Sequence, residues 1–126
     1  MARTPITGVL LDTGRNTIRK AVLDGSLDSY YRALECRCFD IVRRSIGGTY
    51  YDVYCDDEGL FAEEPIVTAF SPDGEPLLVG NLFICLHDDE GNTVSLGESD
   101  IERVLKEWRY VLTDQGRLRR VLVMDY

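Results

Sequence analysis

The stretch Ile46-Gly47-Gly48-Thr49-Tyr50-Tyr51-Asp52-Val53-Tyr54-Cys55-Asp56-Asp57-Glu58-Gly59-Leu60 decides the fold. Gly47-Gly48 offers two adjacent residues that take positive φ without a steric cost, which a tight hairpin turn requires. Thr49 to Cys55 is rich in tyrosine and β-branched residues, as a half-buried strand should be. Asp56-Asp57-Glu58-Gly59 closes that strand with an acidic, glycine-ended turn. On the other side of the glycine pair, Cys38 to Ile46 supplies the partner strand, with Arg43 and Arg44 able to reach out from the sheet.

Working outward, Ile6 to Leu11 is a short apolar run that ends in the turn sequence Asp12-Thr13-Gly14-Arg15-Asn16. Thr17 to Leu23 reads as its return strand, with a helix as the rival because Arg19, Lys20 and Ala21 favour one. Ser26 reads as an N-cap, with Leu27, Tyr30, Tyr31 and Leu34 at helical spacing in a helix that ends near Cys36. Residues 61–76 hold Pro65, Pro72 and Pro76 and predict irregular chain with one short strand, Ile66 to Phe70. Leu77 to Leu86 is apolar almost throughout and predicts one buried central strand that ends at the turn His87-Asp88-Asp89-Glu90-Gly91-Asn92, with Thr93 to Leu96 returning beside it. Ile101, Val104, Leu105, Trp108 and Leu112 share a 3.6-residue period and predict a helix from about Ser99. Gly116 reads as its stop signal, and Arg119 to Met124 as a last strand. The expectation is one α+β domain over residues 1–126: an antiparallel sheet of about six or seven strands built from hairpins, with two helices packed on one face.

The chain has 126 residues, an apolar fraction of 44% and a charged fraction of 29%, values that fit one globular domain. No apolar run approaches the length needed to cross a bilayer, and Met1-Ala2-Arg3-Thr4-Pro5 lacks the apolar core of a signal peptide. The expected location is therefore the cytoplasm, and Cys36, Cys38, Cys55 and Cys85 are read as free thiols rather than disulfides or metal ligands. Net charge is −8, divided unevenly: residues 45–102 carry fourteen acids and no Lys or Arg, while the flanks carry +6. Nucleic-acid binding by the middle segment is not expected, because attraction to phosphate needs Lys or Arg.

Catalytic patterns are absent from the residue order. There is no Gly-x-Ser-x-Gly elbow, P-loop or dinucleotide fingerprint, and His87 is the only histidine. The acidic turns lack the glycine and glutamate spacing of an EF-hand. Seven tyrosines and several arginines are suited instead to stacking on rings and gripping phosphates. The candidate ligand residues are Arg43, Arg44, Tyr51 and Asn81, expected to project from neighbouring strands. The candidate partner-binding residues are the acidic turns Asp56, Asp57 and Glu58, and Asp88, Asp89 and Glu90. No cofactor or metal is expected, and exposed sheet edges suggest a homodimer or higher homo-oligomer.

Ile46-Gly47-Gly48-x-Tyr50, Tyr54-Cys55-Asp56-Asp57-Glu58-Gly59-Leu60, Leu78-Val79-Gly80-Asn81-Leu82-Phe83-Ile84, Glu90-Gly91-Asn92 and Asp100-Ile101-Glu102, in that order, resemble the domain of unknown function 3846. The resemblance implies a small protein of a phage, plasmid or conjugative element and brings no catalytic residues with it. Combined with the residue set, it leads to the expectation of a non-enzymatic, counter-defence binding protein that sequesters a nucleotide-type ligand. The alternatives are an acidic inhibitor that mimics nucleic acid toward a host nuclease or restriction complex, and an accessory protein-interaction module of element maintenance.

Overall fold

The computed structural model describes residues 4–61 and 63–126. In chain order the elements are β1 (Ile6–Asp12), β2 (Thr17–Leu23), α1 (Leu27–Leu34), β3 (Phe39–Ile46), β4 (Thr49–Asp56), β5 (Val67–Phe70), β6 (Pro76–Val79), β7 (Leu82–His87), β8 (Thr93–Val94), α2 (Glu98–Leu105), β9 (Trp108–Leu112) and β10 (Leu118–Val123). The glycine pair does what its position implies: Gly47 (φ 61°) and Gly48 (φ 86°) are both left-handed, and β3 pairs with β4 in unbroken register from Phe39↔Asp56 to Ile46↔Thr49. The main sheet has the order β2-β1-β7-β4-β3, all antiparallel, with β8 joined to the end of β7. The α+β class and the hairpin-built antiparallel sheet therefore hold.

A second sheet, β6-β5-β10-β9, was not foreseen. It exists because the apolar run from Leu77 to Leu86 is two strands and not one. Gly80 takes φ 78° and gives its N–H to Ile66 O, so the chain turns out of β6 and enters β7 in the other sheet. Only β5 and β10 pair in parallel; the other contacts of this sheet are antiparallel.

The second helix is also shorter than its periodicity predicts. It ends at Leu105, and Trp108 and Leu112 lie in β9, paired with β10. A spacing of four residues fits a strand's period of two as well as a helix's 3.6. Trp108-Arg109-Tyr110-Val111-Leu112 is aromatic and β-branched, and pairing with β10 decides for the strand. Gly116 consequently closes the β9–β10 hairpin rather than stopping a helix, donating its N–H to Thr113 O at 2.9 Å.

The two helices lie on opposite faces of the main sheet, not on one. Leu82 and Ile84 of β7 pack in the cluster that holds Ile101 and Val104 of α2, while Phe83 and Cys85 pack with Tyr30 and Leu34 of α1. The cause is in the sequence: all four residues from Leu82 to Cys85 are fully buried, so neither face of β7 can be left to water. Ala69, Leu122 and Met124 of the second sheet and its C-terminal end join α2 on its face. Helix α1, capped by Ser26 through a bond from Ser29 N–H at 3.1 Å, covers the other face alone. Eight residues make a helix of roughly 12 Å, shorter than the roughly 19 Å width of five strands. Part of the face at β3 and β4 is left open, and Ile41 and Tyr50 are about half exposed there.

Strand β1 approaches β7 so closely that Gly8 has no room for a side chain. A Cβ at Gly8 would collide with the Ile84 carbonyl and stand 2.7 Å from Phe83 Cζ. Gly8→Ala is therefore expected to cost about 3 kcal/mol, seen as a lower urea midpoint with an unchanged slope. A midpoint equal to that of the parent protein would contradict this packing.

Candidate ligand-binding cleft

The residues singled out in the sequence do not converge on one surface. Arg43 and Arg44 are neighbours on β3 and so point to opposite faces. The Arg43 guanidinium lies 5.3 Å above the Tyr50 ring, on the face that α1 leaves open. Arg44 lies on the α2 side, 4.8 Å above the Tyr126 ring, with its Nε buried and unpartnered among the described residues. Tyr51, the cross-strand partner of Arg44, is 1% exposed. Its hydroxyl donates to Asp100 Oδ1 at 2.7 Å and accepts from Arg103 at 2.9 Å, which ties β4 to α2. Burial first, and then the Asp100 carboxylate, raise the pKa of this phenol.

Asn81 is buried at the junction between the sheets. Its Oδ1 accepts from Thr13 N–H at 2.9 Å and from Thr13 Oγ1 at 2.8 Å, and its Nδ2 donates to Ala33 O at 3.0 Å. The side chain fastens the β1–β2 turn and the end of α1 to the start of β7.

The two acidic turns build local structure at opposite ends of β7. Asp56 Oδ1 accepts from Glu58 N–H, and Glu58 pairs with Arg37 at 3.2 Å. Asp88 Oδ1 accepts from the backbone of Asn92 and Glu90; these bonds, that to Asn92 first, hold its carboxyl below the ordinary range. Cys55, beside the first turn, pairs with Leu82, whereas the second turn follows His87. Six residues of strand place the turns roughly 20 Å apart.

His87 has a partner that its sequence position did not reveal. Its Nδ1 lies 2.6 Å from Oδ2 of the buried Asp52 carboxylate, with the Arg43–Tyr50 pair on the same face. Cys85 is the cross-strand partner of Asp52, but burial and then the Asp52 charge push its thiol up to about 12, which makes it a poor nucleophile. Among the described residues no group of three or more His, Cys, Asp or Glu side chains is placed to hold a metal ion.

A concavity lies on the outer face of the second sheet. It is a cleft of about 520 Å³ between the 64–67 segment and the β9–β10 hairpin. Its walls are mixed: Pro65, Ile66, Val67, Phe70, Val111 and Val121 are apolar, and Thr113 and Gln115 are polar. Arg119 stands across from Val111 in the hairpin register, so arginine and valines share the face. Arg117, Arg119, Glu64 and Asp114 ring the opening. Arg119 donates from one terminal guanidinium nitrogen to Thr13 O at 2.7 Å, which anchors that end of the group. Among the described residues neither Arg117 nor Arg119 has a carboxylate within ion-pair distance, although two carboxylates line the same cleft. A slot with one apolar wall and charges of both signs at its opening suits a small ligand with a flat apolar body, hydroxyl groups and an anionic end.

Sequence reasoning missed this cleft because its walls come from residues 64–70 and 111–121, which only the unforeseen second sheet brings together. The one signal was the basic run Arg117-Leu118-Arg119-Arg120. On the opposite face of the same hairpin, Trp108 and Tyr110 meet edge to face at 4.8 Å, and Arg120 lies over both rings at 5.4 and 5.7 Å.

Two substitution and labelling outcomes follow from these positions. Asn81→Ala leaves the Thr13 and Ala33 groups without partners and should cost about 2–4 kcal/mol in denaturant unfolding; a loss below about 1 kcal/mol would contradict its role as a fastener. A thiol-specific dye should label exposed Cys38 rapidly in the native protein, and half-buried Cys36, with its pKa raised to about 11, slowly. Cys55 and Cys85 should react only after unfolding, and native labelling of all four would refute the burial described.

No curated protein and no solved structure matches the chain. The family model of a domain of unknown function, DUF3846, matches residues 6–109, from the start of β1 into β9. With all but the β9–β10 hairpin and the chain ends inside that match, the chain belongs to the DUF3846 family.

Proposed function

We propose that the chain is a non-enzymatic binding protein that holds a nucleotide-type ligand in the cleft of the second sheet. The observation that carries this reading is a cleft with an apolar wall beside two arginines that have no carboxylate at ion-pair distance among the described residues. Val111, Val121 and Phe70 would receive the base, Arg117 and Arg119 the phosphate, and Glu64 or Asp114 the ribose hydroxyls. Guanidinium is suited to phosphate because its planar donors bind in pairs. The local charge supports the assignment as well: residues 106–120 carry five bases against two acids in a protein of net −8. Sequestration without chemistry fits a cleft whose lining includes neither the lone histidine nor a cysteine.

In the setting that the family resemblance suggests, such a protein would serve a mobile element by withdrawing a nucleotide signal from a host defence pathway. The nucleic-acid-mimic reading is less well supported, because the two acidic turns lie at opposite ends of β7 and do not form one face.

Fluorescence titration with N-methylanthraniloyl-ADP tests the reading. Saturable binding is expected, with displacement by ADP but not by adenosine, and with the nucleotide recovered unchanged by chromatography. Arg117→Glu should weaken binding by roughly 10- to 100-fold, the value of one charge-assisted hydrogen bond. Absence of saturable binding, or an effect of Arg117→Glu below twofold, would overturn the assignment.

A further inference from the structure

We infer that the outer edge of β9 is a dimer seam, at which a second copy of the chain adds its own β9 antiparallel to the first. Strand β9 ends the second sheet, and its hydrogen-bond phase can be read from its flanks. Thr113 N–H donates to Arg117 O and Val123 N–H donates to Glu107 O, so odd-numbered residues bond toward β10. By alternation the N–H and C=O groups of Trp108, Tyr110 and Leu112 point away from the sheet. Nothing among the described residues pairs with those of Tyr110 and Leu112. Among the described residues the Trp108 carbonyl is met only by the Arg109 guanidinium at 2.8 Å, a side chain standing where a neighbouring strand would donate.

Side chains on this strand reinforce the open edge. Trp108, Tyr110, Leu112 and the cross-strand Leu118 share one face and are 38%, 49%, 66% and 57% exposed. Aromatic residues with a stacked arginine, here Arg120, are the composition of an interface centre rather than of a solvated surface. Strand β9 has neither the proline nor the bulge by which soluble proteins usually protect an edge.

A second copy fits better than an unrelated strand because the edge is complementary to itself. A two-fold axis at Tyr110 pairs outward-pointing residues with outward-pointing residues, as a ladder requires. It sets Trp108 of each copy against Leu112 of the other. Arg109 falls opposite Val111 rather than opposite another arginine, and its charge is already partnered by Glu107 at 3.8 Å in its own chain. No like charges meet within the strand. Val111 also lines the cleft, so the second copy's Arg109 would stand at the rim of the first copy's site. That last consequence rests on the proposed ligand site; the seam itself does not.

Sedimentation velocity at micromolar concentrations, without ligand, reads the seam directly. The parent protein should sediment at twice the chain mass, and Leu112→Glu, at a position already exposed in the single chain, should weaken self-association by roughly tenfold or more. Tyr110→Cys, in a background with Cys36 and Cys38 replaced by serine, should form a disulfide-linked dimer on mild oxidation. Leu118→Cys, one strand farther in, should not. A monomeric parent protein, or a dimer that is indifferent to Leu112→Glu and not cross-linked through Tyr110→Cys, overturns the inference. The ligand reading fails separately: a monomer that binds the fluorescent nucleotide overturns only the seam, and a dimer that binds none overturns only the cleft assignment.

Discussion

Burial of β7 on both faces is the constraint on which the rest of the structure depends. Leu82, Phe83, Ile84 and Cys85 have no measurable exposure, and β1 and β4 flank them on either side. At about 25 cal/mol per Å² of apolar surface, such side chains each stabilise the fold by about 1.5–3 kcal/mol when covered. Both faces must therefore carry a layer. Helix α1 supplies one with Tyr30 and Leu34, and α2 together with the second sheet supplies the other. The absence of a side chain at Gly8 lets β1 come close enough to close the packing over Phe83.

From that demand comes the cleft. A chain that ran straight through Gly80 would build one longer strand and leave the α2 side to a single short helix. By turning at Gly80-Asn81 it puts β6 in a second sheet, and polar bonds then fasten the two sheets together. Thr13 bonds to Asn81 and accepts from Arg119, while Asn16 bonds to the backbone of both Leu118 and Arg120. At the other end, Ser45 and Asp125 exchange backbone bonds at 2.8 and 2.9 Å. The second sheet is thus held as a fixed layer, and the outer side of that layer is where the arginine-ringed slot lies.

Local signals made much of this architecture legible. Gly47-Gly48, the Asp12–Asn16 turn, the Ser26 cap and the acidic turns each specify structure within a few residues, and all are where the sequence places them. What stayed hidden depends on contacts between distant segments. The run from Leu77 to Leu86 is apolar on both sides of Gly80, and nothing local says that its halves serve different sheets. Trp108 and Leu112 satisfy helix and strand periods alike, and β10 decides between them. Arg43 and Asn81 stood out as candidate ligand residues, but not as a ring-stacked cation and an internal fastener. The cleft needed both sheets before it could be seen at all.

Backbone hydrogen exchange followed by NMR tests this hierarchy most directly. Amides of Leu82 to Cys85 should exchange only through global unfolding, with the same free energy and denaturant dependence as the whole protein. If those four amides instead exchange through local opening, at a free energy well below that of global unfolding, the doubly covered strand is not what holds the two layers together.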